Sequence, residues 1–122
     1  MTTTARHEEI SSRFLDQAEE EFEQGDLLQA SEKAWGAVAH YVKSVAKARG
    51  WPDGSHRDIA VNARKLLDLT PDPGGNRDKF GLINLLHINF YEEALDPEDV
   101  RRGIGHARVL IDAMREADSR LV

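Results

Sequence analysis

The chain predicts an all-α fold: a five-helix up-and-down bundle whose first two helices are long and antiparallel. Three observations carry this expectation. Apolar residues recur at three- and four-residue steps through five segments, capping residues bound those segments, and no stretch alternates as a strand would. The chain has 122 residues and no cysteine. A domain of that length buries about two-thirds of the surface its unfolded form exposes and needs no disulfide or metal staple. We expect one domain over residues 1–122, with no internal repeat.

The first helix is expected from about His7 to Gln24, because Ile10, Phe14, Ala18 and Phe22 fall at four-residue steps and Gly25 stops the run. Its far side, from Glu8 to Glu23, is acidic and reads as a face turned to water. The second helix has a signal at each end: Asp26 caps the first turn, Gln29 stands in the capping-box position, and Gly50 supplies a left-handed terminator. Between them Leu27, Ser31, Ala34, Val38, Tyr41 or Val42, Val45 and Ala48 form an apolar stripe. Lys33, Ala37, His40, Ser44 and Lys47 form a second, basic and polar one. The connection between the two helices is so short that they must pack as an antiparallel hairpin.

Trp51-Pro52-Asp53-Gly54 reads as a turn, and Ser55 as the cap of a third helix with Asp58 three residues on. Ile59, Ala63, Leu66 and Leu67 give its buried stripe, through about Leu69. The segment 70–76, rich in proline and glycine, is expected to be a long surface loop. From Arg77 to Glu93 apolar residues surround the axis, which predicts a central or doubly buried helix. Asp96, Pro97, Glu98 and Asp99 open the last helix, and Val100, Ile104, Ala107, Ile111, Met114, Ala117 and Leu121 carry its stripe.

The net charge of −6 argues against a general nucleic-acid coat. The distribution is uneven: residues 27–80 hold nine bases and six acids, a local excess of positive charge within an acidic protein. That segment reads either as an anion-binding face or as solvated lysines and arginines. The first residues lack the apolar core of a signal peptide, and no apolar run has the length of a membrane span, so a cytoplasmic protein with no membrane partner is expected. The five histidines, His7, His40, His56, His87 and His106, form neither Glu-x-x-His nor His-x-x-x-His. No metal and no cofactor are therefore expected. His56-Arg57-Asp58 superficially matches a kinase catalytic loop, but the glycine-rich loop is absent and Asp58 serves better as a capping residue.

One arrangement points to a family. An acidic first helix is followed by Gly25-Asp26-Leu27-Leu28, by Ala30, Ala34, Ala37 and Ala39 around Lys33 and Trp35, by Arg49-Gly50-Trp51 and Ser55-His56-Arg57, and by Leu86 through Glu92. This resembles the HEPN superfamily, and within it the archaeal repetitive-element (PaREP-type) branch, over about Ala18 to Leu110. The resemblance implies a helical bundle, commonly a dimer. It also implies either a ribonuclease or toxin, or a binding partner of a small nucleotidyltransferase. The family's ribonuclease motif is an arginine, four to six residues, then a histidine, with a tyrosine two further on. Aligning Tyr91 with that tyrosine places Asn89 at the histidine and Asn84 at the arginine, so the usual catalytic pair is missing. Arg49 with His56, and Arg101 with His106, meet the spacing, but such a match arises by chance among eleven arginines and five histidines.

We therefore expect no catalytic residue. The leading reading is a non-catalytic binding domain, a homodimer that recognises a nucleotide, RNA or a nucleotidyltransferase-type protein partner. The ligand-binding candidates are His40, Lys43, Lys47, His56, Arg57, Asn89 and Tyr91. His40 reads as a member of an anion site or as a half-buried ring meeting a neighbouring helix. His56 and Arg57 stand at a helix start, where exposed amides face an anion or serve only the cap. His87 and Asn89 lie on an apolar helix and must find partners there, and Trp35 and Trp51 read as core and hairpin-closure residues. Two rivals stay open: a divergent endoribonuclease using His56 with Arg49 or His106 with Arg101, and a purely structural assembly subunit.

Overall fold

The chain reverses between its first two helices within three residues, and Gly25 allows it by adopting a left-handed φ of +84°. Asp26 then accepts a hydrogen bond from the backbone N–H of Gln29, as a capping aspartate should. A computed structural model describes residues 3–92 and 95–121, with side chains for residues 5–88 and 95–121. Five helices follow one another: α1 (Thr3–Glu23), α2 (Leu27–Arg49), α3 (His56–Leu67), α4 (Pro73–Glu92) and α5 (Pro97–Ser119). Among the described residues there is no strand, and the architecture is a helical bundle, as the sequence predicts.

Helices α1 and α2 are antiparallel. His7 meets His40, the Ser11 hydroxyl donates to the Ala37 carbonyl at 2.7 Å, and Lys33 meets Glu21 at 3.2 Å. Partner numbers fall along α2 as they rise along α1. α1 begins earlier than expected, at Thr3, because no proline or glycine interrupts the chain before His7. Its acidic face is only partly given to water: Glu19 and Asp16 reach Arg108 of α5, and Glu21 reaches Lys33 of α2.

α2 packs against all four other helices. Ala30, Ala34, Ala37, Val42 and Ala46 are fully buried, and Val38 and Tyr41 nearly so. Small side chains there let neighbouring backbones approach. Gly36 is one such point, since a Cβ on it would lie 2.8 Å from the Phe14 ring. Three expected stripe positions differ: Ala48 is exposed, and Ala37 and Ser44, expected on the polar stripe, are buried. The C-terminal end closes as expected. Gly50 takes a left-handed φ of +73°, and the N–H groups of Gly50 and Trp51 both turn back to the Ala46 carbonyl.

The expected loop over residues 70–76 is only half a loop. Asp72 caps α4 by accepting from the Gly75 N–H at 3.1 Å, and Pro73 takes the first helical position. The buried Asn76 amide donates to the Thr70 hydroxyl at 2.8 Å, which in turn donates to the Leu67 carbonyl. This short polar chain ties the end of α3 to the start of α4. The expectation that α4 is central also fails: it buries Phe80, Ile83 and Leu86 but leaves Leu85 and Ile88 exposed at 46% and 44%. The central position belongs to α2.

α5 carries its predicted stripe, with Val100, Ile104, Ala107, Ile111, Met114 and Ala117 all buried. Its far end is clamped to α2 by Arg49, which donates to the Asp118 carboxylate at 2.7 Å and to the carbonyls of Asp118 and Leu121. Near its start Gly103 accommodates the fully buried Leu86, whose side chain would lie 2.6 Å from an added Cβ. Gly105, two residues on, faces open space. Gly103→Ala is therefore expected to lower stability by about 1–3 kcal/mol through overpacking. Gly105→Ala is expected to raise it by about 0.5–1 kcal/mol through helix propensity. Urea unfolding of the two variants checks the pair, and equal effects of the same sign would refute this account of the α4–α5 contact.

Candidate functional site

One face of α2 carries Glu32, His40, Lys43 and Lys47, partly buried or exposed, with the buried Gly36 under the Phe14 ring between them; these residues are three or four apart. α1 approaches this face from one side and the start of α3 from the other. Between them lies a cavity of about 390 Å³ lined by Phe14 of α1, by Glu32, Trp35, His40 and Lys43 of α2, and by His56 and Ile59 of α3, among others. A second hollow of about 370 Å³ continues past Lys43, His56 and Ile59 to Asp53, Gly54 and Ser55. The two form one groove, in the size range of small-ligand pockets.

The start of α3 is organised locally. Ser55 accepts from the Asp58 N–H at 3.0 Å, and Asp58 reaches back to the N–H of Gly54 at 3.1 Å. The reciprocal bond of the capping box thus lands one residue before the cap. Asn62 holds the preceding turn by donating to the Pro52 carbonyl at 2.7 Å. His56 is thereby fixed at the first helical position, exposed, beside the groove.

Two histidine contacts define the groove's polar character. The first joins α1 to α2: Nδ1 of His7 and Nδ1 of His40 are 2.9 Å apart and the rings stack, while the Phe14 ring meets His40 edge-on. One nitrogen donates and the other accepts, so at least one ring is neutral. Burial, and then the positive charges of His7 and Lys43, push His40 down to about 4. Burial foremost, helped by Lys47 and Lys43, also lowers His7. The second contact joins α4 to α2: His87 stacks on Trp35 with ring centroids 4.2 Å apart and meets the Glu32 carboxylate through Nδ1 at 3.0 Å. His56 meets both Trp35 and His87 edge-on.

The structure brings some sequence-predicted candidates together and separates others. His40, Lys43 and His56 line one groove. Lys43 forms no ion pair or hydrogen bond with another described residue, whereas Lys47 is held by Asp53 at 2.9 Å. That ion pair lowers the Asp53 carboxyl below its usual range, through the hydrogen bond from Lys47 first. Arg57 is exposed and lines neither hollow. The side chains of Asn89 and Tyr91 lie outside the described residues. The Arg–His pairs that satisfy the ribonuclease spacing are otherwise engaged: Arg49 clamps α5, and Arg101 pairs with Glu98. Glu32, Trp35 and Phe14 line the groove, although their sequence pattern marks them only as core or surface residues. His87 does find a partner on a facing helix, as its place on an apolar helix required. The glycine inside α2 at position 36 is the sequence signal for a close approach there, and the Phe14 ring makes it.

The class that fold and site define is a small all-helical bundle with a mixed cationic and aromatic groove along one face of its central helix. The model of the archaeal PaREP1/PaREP8 family matches residues 6–111, and the chain belongs to that family. No curated protein matches the sequence.

Burial of His40, with the positive charges of His7 and Lys43 beside it, is expected to make stability pH-dependent. An unfolded chain takes up the His40 proton near 6.5, while the folded protein resists it down to about 4. The contribution is therefore full above about 6.5, declines as pH falls through that window, and levels off below it. Urea unfolding across this range is expected to show the decline in the wild type and a shallower one in His40→Gln; identical slopes would refute it.

Proposed function

We propose that this chain is a non-catalytic, HEPN-like binding domain whose α1–α2–α3 groove recognises a nucleotide. The observation that carries the reading is the convergence of Lys43, His40 and His56 in one hollow together with Trp35. Lys43 forms no ion pair or hydrogen bond with another described residue, which suits it to a phosphate. The exposed His56 ring offers a flat surface suited to a base, with Trp35 behind it. The resemblance to HEPN proteins supports the same reading, because that superfamily includes partners of nucleotidyltransferases. An RNA end would present the same chemistry. The endoribonuclease alternative has weaker support, since Arg49 and Arg101 are each held by a carboxylate.

Calorimetric titration with adenosine monophosphate tests the proposal. Lys43→Ala is expected to weaken binding by about tenfold or more, the worth of one hydrogen bond to a charged group. His56→Ala should also weaken it, and Arg57→Ala should change it little. Binding that is indifferent to Lys43 and His56 would sink the reading.

A homodimer is a separate proposal, favoured by the exposure of Leu85 and Ile88 on α4. Sedimentation of the wild type is expected to show a dimer that Leu85→Glu with Ile88→Glu dissociates. A wild-type monomer at high concentration would remove it.

A further inference from the structure

We propose that the groove is a proton-coupled oxyanion site: a phosphate-type dianion seated beside Lys43 draws one proton onto the His7–His40 pair as it binds. The proposal rests on the binding reading above and adds the ligand's charge class and its dependence on pH.

The geometry of the pair sets the stoichiometry. With the two Nδ1 atoms 2.9 Å apart, one must carry hydrogen and the other must not. The donor ring can take an added proton on Nε2 and still donate through Nδ1. A second proton would set N–H against N–H and break the contact. The pair therefore accepts one proton while keeping α1 docked on α2.

The surroundings decide when that proton arrives. Arg6 comes from α1, and Lys43 and Lys47 from α2, and all three act on the pair as positive charges. Asp53, in the turn before α3, is the nearby carboxylate that favours the charged form of His7, and it is already engaged by Lys47. Across the groove, His56 of α3 is a further basic group; Glu32 is occupied by His87 of α4, and Lys33 by Glu21. In the free protein an added proton thus meets mainly cations. A dianion at Lys43 reverses the sign of that local field, so anion and proton favour one another, and the coupling is reciprocal.

A divalent cation bridging the two facing nitrogens is the competing idea. The same three cations oppose it, and among the described residues no group of three or more histidine, cysteine, aspartate or glutamate side chains is placed to hold a metal.

Inorganic sulfate is the cleanest probe, because it keeps both charges from about pH 5 to about pH 8 while phosphate does not. Sulfate titrations of the full chain, followed by NMR of the histidine ring carbons, are expected to give a dissociation constant that weakens about tenfold per pH unit as the pair loses its proton. A His7 or His40 ring should titrate at higher pH with sulfate than without. His40→Gln and His7→Gln are each expected to flatten the pH dependence, and if either fails to fold, the wild-type ring shifts still decide. A dissociation constant independent of pH, or ring titrations unmoved by sulfate, overturns the proposal. If adenosine monophosphate binds through Lys43 with no proton uptake, the nucleotide reading survives and this one falls. If neither ligand binds anywhere in that range, both fall.

Discussion

Everything in this bundle depends on α2 being covered on all but one side. Its row of alanines removes side-chain bulk, so α1 comes close enough for a serine hydroxyl to reach the Ala37 backbone, and α4 and α5 pack on the remaining faces. A helix enclosed in this way has a single strip left for polar groups. Glu32, His40, Lys43 and Lys47 fall on that strip because burial elsewhere would leave them without water or partners. The groove is thus a consequence of the packing. It exists where α1 and α3 flank the strip without meeting over it, and Gly36 marks its floor by letting the Phe14 ring sit against the helix.

Legibility in the sequence followed the strength of local signals. The caps at Asp26, Ser55 and Asp96, the terminator Gly50, and the α3 and α5 stripes were all readable, because capping and four-residue periodicity are properties of a few neighbouring residues. The phase of α2 was less readable. Alanine and serine are at home on either side of a helix, so a stripe through Ala37 and Ser44 looks as good in sequence as the one through Gly36 and Lys43; the two share His40 and Lys47 and differ in direction by about 60°. The start of α4 carried a signal that its glycines obscured. Asp72-Pro73 has the same cap-then-proline order as Asp96-Pro97, and both open helices.

The candidate site was legible only in part, for a physical reason. His40, Lys43 and His56 could be singled out as polar residues near helix faces and starts, but their convergence depends on how α3 leans on α2. Trp35 and His87 were invisible as a pair, since their stacking joins residues on two helices that are far apart in sequence. His7 gave no local signal at all. Its meaning comes from lying opposite His40 in the antiparallel hairpin.

The placement of the arginines bears on what this scaffold does. Arg49, Arg77, Arg101 and Arg108 each donate to a carboxylate, and in Arg49 the guanidinium fork also binds backbone carbonyls at the end of α5. A planar, permanently charged group used this way strengthens helix ends and interhelical contacts, and a second, anionic partner would have to displace the first. The groove instead presents Lys43 and the imidazoles of His40 and His56, none of them held by a carboxylate among the described residues. An acidic protein repels anions at a distance. On the reading proposed above, Lys43 and a histidine pair that takes up a proton as the anion arrives would overcome that repulsion only at contact. A site of that kind would discriminate by charge and shape at the groove itself, where a broad basic surface would attract anions of every kind.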